Sequence, residues 1–466
     1  MSNTAKEYYE GLKGKKVAFL GIGVSHKELI HKFVAYGADV TLCDMREMDE
    51  FDEDIDGIRE LGISFQLGKH QFENLERFDM VFRTPGIYYN RPEIQQAIQN
   101  GANITSEMEE FFKLCPCKII AITGADGKTT TTTLISEILA HAGYTVHKGG
   151  NIGRALLPIV DTIAPEDYAV VELSSFQLLS MRIAGDITVV TNVQPNHLNV
   201  HKDYQEYKDA KKNLIIYQKE NSKTILNLDN EVTREEYAPA VKGELIWFSK
   251  EKMPQVGSFW DMQTGKIYYN DHGDTHFIMQ RSDIKLIGNH NVENYLTAIA
   301  AVWGIADIGN ILAVANTFGG VEHRMEFVRE FEGVSYYNDS IASSPDRTIA
   351  GLNAREEKVI LIAGGKNKGL VYDKLGPVIN EKVKVLVLMG ETAQVIYESV
   401  VSAANYDANS IKILFAADMA QAVALARENA EKGDIVSLSS ASTSFDMYKN
   451  FERRGQHFKK IVNELK

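Results

Sequence analysis

The stretch Ala121–Tyr144, AITGADGKTTTTTLISEILAHAGY, permits few local structures. An apolar run ends at Gly124, a second glycine follows at Gly127, and Lys128 opens a segment whose apolar residues recur at helical spacing. Strand, glycine turn and helix in that order make an anion cradle, because the N–H groups of the turn and the first helical turn converge on one point and the helix dipole adds to them. Lys128 brings a point charge to the β- and γ-phosphates of a nucleotide, and the hydroxyl of Thr129 lies where it can enter a Mg²⁺ shell. The familiar loop of this kind has a glycine five residues before the Gly-Lys pair, but Ile122 stands there and the glycine comes at Gly124. The spacing leaves a degraded site, a coincidence or a shorter loop of a different type. The strand before and the helix after argue against a mere solvated turn.

The same alternation organises the rest of the chain. At 466 residues it is long enough for about three domains of ordinary size. KKVAFLGIG, SHKELIHKFVAYGA and DVTLCD read as strand, helix and strand, a unit that opens a doubly wound sheet, and FDMVFRTPG is a further strand running into a Pro-Gly turn. A helix around Ser106–Lys113 precedes the strand KIIAITG, where the pattern restarts. YAVVELSS, ITVVTNV and KTILNLDN are further strands, and Asn289–Ile305 is strongly helical. A third region near Val321 carries the strands VSYYNDS, EKVILIAGG, KVLVLMG and DIVSLSS. The fold expected is α/β with three domains, 1–106, 107–320 and 321–466, each on a parallel or mainly parallel sheet with ligands beyond the strands' carboxyl ends.

Composition excludes several classes. A formal charge of −13 repels nucleic acid and anionic lipid, so an anionic ligand needs a local pocket. No stretch of about 18 uninterrupted apolar residues is present, and the amino terminus lacks a secretory pattern. Cys43, Cys115 and Cys117 are odd in number and include a C-x-C pair, which suits neither a zinc framework nor a C-x-x-C redox site. These features point to a cytoplasmic protein that binds neither nucleic acid nor membrane.

Other motifs are ambiguous taken singly. Glu172 ends an apolar strand and precedes Ser174–Gln177, so it suits either a metal ligand or a helix cap. His197 and His201 fall in a loop, and Lys211 and Lys212 lie on an amphipathic helix where a lysine is ordinarily solvated. GIGVS, Gly21–Ser25, has His26 where a dinucleotide fingerprint has its third glycine, which disfavours a dehydrogenase.

In sequence order, GADGKTTT, GGNIG, ELSSFQL, NHL, YKDAKKN, GNHNVEN, HRMEF, YNDS and SFDMYKNFERRG resemble the Mur ligase family across nearly the whole chain. The shortened loop is that family's own form. The resemblance implies a Rossmann-like first domain, a P-loop-type ATPase in the middle and a Rossmann-like third domain. It also implies ATP-dependent ligation through an acyl phosphate, with D-glutamate joined to UDP-N-acetylmuramoyl-L-alanine, by a cytoplasmic monomer. Gly124, Gly127, Lys128, Thr129 and Thr130 would hold the ATP phosphates, and Asn291, Asn294, Arg324 and Asp339 would contact the nucleotide. Two Mg²⁺ ions would be held by Thr129, Glu172, His197 and a carbamylated Lys211. Lys212 stays open as the alternative for the carbamate, and His197 as a substrate contact. The catalytic residues implied are Lys128, His197 and Lys211.

The first domain would take the uridine diphosphate on Gly23, Val24, Ser25, Asp44, Arg46, Thr84, Pro85 and Gly86, with Asn151 orienting the muramoyl-alanine. D-Glutamate would lie on Ser343, Lys368, Ser444, Phe445 and Phe451. The chain departs from the family's commoner pattern in two places. Ile341 stands where relatives carry a lysine after NDS, which leaves Arg347 or Lys366 to compensate, and NHLNV replaces DHLDR. The rival readings are another Mur-type or folylpolyglutamate-synthase-like ligase, a nucleotide-binding regulator and a nicotinamide oxidoreductase. A folylpolyglutamate synthase would lack the uridine pocket.

Overall fold

The computed structural model describes residues 3–51, 55–197, 200–286 and 288–466; Leu198 and Asn199 of the NHLNV departure therefore lie outside the described residues. The chain forms two compact units, residues 1–318 and 319–466.

The first unit holds two sheets. The smaller has five parallel strands in the order Ser64–Leu67, Asp39–Asp44, Lys16–Leu20, Met80–Arg83 and Ile104–Thr105. Its strand order reverses beside Lys16–Leu20, so the Gly21–Gly23 and Thr84–Gly86 loops leave the sheet side by side. The larger sheet has nine strands. Val146–Gly150, Tyr168–Glu172, Lys118–Thr123, Ile187–Val190, Lys223–Asn227, Glu244–Ser249 and Val256–Asp261 are parallel neighbours in that order. Lys266–Asp271 and Asp274–Gln280 extend it as antiparallel strands. Lys118–Thr123 stands at the reversal of order, between the strands ending at Glu172 and at Val190, and its carboxyl end opens into the phosphate loop. One apolar core runs through both sheets of this unit, from Tyr9, Phe19 and Phe33 to Leu157, Val171 and Leu214.

The second unit has one six-stranded sheet in the order Glu326–Phe331, Val334–Asn338, Ile435–Leu438, Val359–Ala363, Val383–Leu388 and Lys412–Phe415. Its first strand runs antiparallel to the second and the others are parallel. The sheets are mainly parallel as expected, and the antiparallel pairings fall at their ends, where hairpin turns such as Asp271–Asp274 reverse the chain too tightly for a crossover. The helices Glu107–Leu114, Lys128–His141 and Asn289–Val302 lie where periodicity places them. Among the described residues no helix is long and apolar enough to cross a membrane.

Candidate functional site

The phosphate loop is built as its spacing requires. Thr123 ends a buried strand, Gly124 has φ +150° and Gly127 has φ +78°, and the helix starts at Lys128. A Cβ at Gly124 would collide with the Thr191 hydroxyl, and one at Gly127 with the Asn294 side-chain oxygen. Neither position tolerates a side chain. Asn294 donates to Asn291 Oδ1 at 3.0 Å, so the two asparagines of the helix Asn289–Val302 form a pair directly against the loop. Thr131 Oγ1 donates to Asn294 Oδ1 at 3.4 Å, while Thr130, the third residue of the loop's helix, is half-buried.

Glu172 is 1% exposed and accepts from Thr129 Oγ1 at 2.8 Å and from Asn151 Nδ2 at 2.7 Å. Its alternative reading as a helix cap is overturned. Ser174 caps the short helix Ser175–Leu178, in a reciprocal box with Gln177. Lys211 is buried at 1% exposure, and its amine donates to Gly124 O at 2.8 Å and Thr123 Oγ1 at 3.2 Å. Lys128 donates to Gly124 O at 3.0 Å and Ala125 O at 2.8 Å. Two amines thus share one carbonyl oxygen. Burial and the Lys128 charge hold Lys211 well below the ordinary lysine range, which favours its free-base form. Lys212, one residue on, is half-buried. His197 is exposed, has φ +55° and lies edge-on to the Phe176 ring at 5.3 Å.

Thr129, Glu172 and the Lys211 amine therefore meet at the loop together with Asn151. Among the described residues no three His, Cys, Asp or Glu side chains gather into a metal cage. A buried carboxylate with one hydroxyl beside it still suits Mg²⁺, which takes few protein ligands and completes its shell with phosphate and water. A lysine carbamate would add a second carboxylate at the same place.

In the smaller sheet Asp44 accepts a bidentate pair from Arg46 at 3.0 Å each, and Ile22 N–H donates to it at 3.1 Å. The Arg46 pair and the Ile22 N–H contact hold the Asp44 carboxyl below its ordinary range despite partial burial. The Arg46 guanidinium lies over the Phe51 ring at 4.3 Å. A Cβ on Gly21 would strike Thr84 Oγ1, so the two expected diphosphate loops touch. Gly23 precedes the helix Val24–Ala35, of which Ser25 is the second residue, and Pro85 and Gly86 follow Thr84 in the turn.

The second unit gathers another set at the carboxyl ends of its strands. Ser444 is buried at 2%, Lys368 lies over the Phe445 ring at 4.4 Å, and Phe451 is edge-on to His323 at 6.0 Å. Ser343 N–H donates to Ile341 O at 2.8 Å, and Arg347 Nη1 reaches the same carbonyl at 3.2 Å. Lys366 instead pairs with Glu391 at 2.6 Å. Asp339 accepts from Ser439 Oγ at 2.8 Å and Met325 N–H at 3.2 Å; burial pushes it up to about 6, and Arg324, exposed, is among the charges opposing that rise. One residue here escaped sequence reasoning. Arg454, 1% exposed, donates to Ser340 Oγ at 3.0 Å, Ser340 O at 2.8 Å and Ser442 O at 3.0 Å, joining the YNDS and SASTS loops. Its signal was an arginine on the apolar face of a helix.

Cys43, Cys115 and Cys117 are free thiols, with the Sγ atoms of the latter two 3.4 Å apart.

A short glycine cradle at the reversal point of a parallel sheet, with a carboxylate and a lysine closing it, defines a phosphate-binding α/β protein of three sheets. Family models match in three successive segments: the Mur ligase MurD-like N-terminal domain over residues 15–106, the Mur ligase middle domain over 122–302, and the Mur ligase glutamate ligase domain over 323–442. The chain belongs to the Mur ligase family. It is 47% identical over 468 residues to the UDP-N-acetylmuramoylalanine–D-glutamate ligase of Acetivibrio thermocellus and 45% identical over 469 residues to that of Ruminiclostridium cellulolyticum, covering 100% of both chains in each case. The solved structure of UDP-N-acetylmuramate-alanine ligase MurC from Thermotoga maritima matches with a TM-score of 0.56 at 18% identity, over 97% of this chain and 100% of that one, a likeness of fold.

Proposed function

We propose that this protein joins D-glutamate to the alanyl carboxylate of UDP-N-acetylmuramoyl-L-alanine at the expense of ATP, a step of peptidoglycan synthesis. The observation that carries the reading is end-to-end likeness to ligases of that name, at 45–47% identity with no domain missing on either side.

A carboxylate is a poor electrophile, so it must first be activated. The alanyl carboxylate attacks the γ-phosphorus in line, the bond from that phosphorus to the β,γ-bridging oxygen breaks, ADP leaves with that oxygen, and an acyl phosphate forms. Lys128 and the N–H groups from Gly127 to Thr130 hold the phosphates and offset the charge that gathers on them, while those of Ala125 and Asp126 donate to Asn192 and fix the loop. The amine of D-glutamate then attacks the acyl carbon, loses its proton and expels inorganic phosphate. Thr129, Glu172, His197 and a carbamate on Lys211 are the residues that would hold Mg²⁺, one ion or two, whose chemistry is charge neutralisation on the transferring phosphoryl group. Asn151, bonded to Glu172, orients the acceptor near that centre. Asn291 and Asn294, paired with each other against the loop, are assigned to the adenine.

The same reading divides the chain at 106 and 320, assigns the Gly23–Ser25, Asp44–Arg46 and Thr84–Gly86 loops to the uridine diphosphate, and assigns Ser343, Lys368, Ser444, Phe445 and Phe451 to D-glutamate. Arg324 and Asp339 are assigned to the nucleotide. Water-soluble substrates suit a cytoplasmic monomer. The test is phosphate release by purified protein offered a panel of amino acids, with and without UDP-N-acetylmuramoyl-L-alanine. Release should require both the acceptor and D-glutamate. Equal release with L-glutamate, or with no acceptor, would overturn the reading.

A further inference from the structure

The chain that leaves the smaller sheet of the first unit is fastened twice to the segment that follows Glu172. The first fastening is Arg83, an arginine 1% exposed at a strand end. Its Nη1 donates to Thr84 O at 3.2 Å and Ile87 O at 2.5 Å, fixing the turn that contains Thr84–Gly86. Its Nη2 donates to Phe176 O at 3.3 Å and Ser180 Oγ at 3.1 Å, in the other sheet's short helix and its exit. Ser180 Oγ in turn donates a hydrogen bond to Glu109 Oε2 at 3.2 Å, so the buried cation is answered through one hydroxyl.

The second fastening is a relay. Tyr88 OH and Asn90 Nδ2 both donate to Glu206 Oε1, at 2.5 and 2.7 Å. Glu206 Oε2 faces His201 Nδ1 at 3.0 Å, and His201 Nε2 faces Ser175 Oγ at 2.8 Å. A carboxylate opposite Nδ1 requires the proton on that nitrogen, so in the neutral ring Nε2 accepts from Ser175. The His201 ring also stacks on Phe176 at 4.9 Å and 7°. Residues 175 and 176 are therefore gripped at hydroxyl, carbonyl and ring, three and four residues beyond Glu172.

We propose that this double clasp sets the spacing between the two ends of the acceptor's binding track, with Arg83, Tyr88, Asn90, Glu206 and His201 as positioning residues; the proposal rests on the acceptor assignment made above. A long substrate can spend the binding of its remote nucleotide on alignment of its reacting carboxylate only if the two subsites are rigidly joined. Here they are joined by side chains from a strand end, loops and helices that flank two different sheets rather than by one continuous element.

The experiment compares UDP-N-acetylmuramoyl-L-alanine with an acceptor lacking the uridine, N-acetylmuramoyl-L-alanine 1-phosphate. The ratio of their kcat/KM values measures how much of the nucleotide's binding reaches the reacting centre. Tyr88→Phe/Asn90→Ala releases Glu206 from the first sheet by deleting a partly exposed and an exposed group, and should retain the fold. It should lower the ratio about tenfold through kcat for the full acceptor, leaving the KM for ATP and the turnover of the truncated acceptor unchanged. Arg83→Met should lower it further. An equal fall for both acceptors would mean a structural role alone and overturns the clasp, as does an unchanged ratio in both variants. A wild-type protein inactive with D-glutamate would instead remove the reading on which the clasp rests.

Discussion

Replacing Lys211 by methionine separates the two roles open to a buried lysine. The Lys211 and Lys128 nitrogens each lie within 3.0 Å of the Gly124 carbonyl oxygen, so their separation is at most twice that. Two unit positive charges about 6 Å apart repel by roughly 3 kcal/mol at an effective dielectric of about 20. Burial and that repulsion keep the Lys211 amine in its free-base form, whereas a carbamate there would meet Lys128 with an attraction of similar size and would give the loop a second carboxylate beside Glu172. Removing it should cost kcat about a hundredfold or more, since each 1.4 kcal/mol or so is a factor of about ten in rate. The same change should leave thermal stability unaltered or slightly raised, because an apolar chain of similar length replaces a buried amine. The assay is D-glutamate-dependent phosphate release at saturating substrates, run beside a thermal melt. A short carboxylic acid supplied in solution should restore part of the activity, and stripping carbon dioxide from the buffer should depress the wild type. Wild-type kcat in Lys211→Met would refute the reasoning, and loss of activity in Lys212→Met instead would move the carbamate by one residue.

Gly124→Ala should abolish binding of a fluorescent ATP analogue and lower stability by about 1–3 kcal/mol, because the new Cβ meets the Thr191 hydroxyl and the Asn192 N–H; retained binding would mean that the loop is not the nucleotide site. Burial pushes Glu107 up to about 7 from an ordinary 4.5. Between those values the folded chain keeps a proton the unfolded chain has lost, so its stabilisation is complete below about 4.5 and fades as pH rises through 7, by about 3 kcal/mol in all. Glu107→Gln should flatten that part of the melting-temperature profile between pH 5 and 8, since the Leu156 and Leu157 N–H groups both bond to the one oxygen that glutamine keeps; an unchanged slope refutes the assignment. Arg347→Ala should raise the D-glutamate KM about tenfold, as loss of a charge-assisted contact would, whereas Lys366→Ala should change it little because Glu391 already engages that lysine. Normal KM values in both would dismiss compensation for Ile341.

Much of this arrangement was legible in the residues. Parallel strands buried on both faces read as unbroken apolar runs, and Ile119–Ile122 and Val359–Ala363 are such runs. The edge hairpins between Val256 and Gln280 were not legible. Their faces are half-exposed and the apolar signal is diluted by residues such as Thr275 and His276. The glycine spacing marked the phosphate loop because only a backbone free of Cβ fits against Thr191 and Asn294. Lys211 is the opposite case. Its residue type alone assigns it to solvent although it shares the buried face of the helix Tyr204–Ile216 with Tyr207, Ala210, Leu214 and Ile215, and its partners Thr123 and Gly124 are visible only once that helix is packed. The Arg83 and Arg454 junctions were hidden for a related reason: each bonds carbonyls and hydroxyls far away in sequence, and no local pattern encodes such partners.

The central claim is that the loop from Gly124 to Thr130 passes a phosphoryl group to the alanyl carboxylate before the amide forms. Heavy-oxygen label placed in that carboxylate tests it in one turnover experiment. The account predicts one labelled oxygen in the inorganic phosphate released with D-glutamate, and none with Lys128→Ala. Unlabelled phosphate accompanying full peptide product would contradict it.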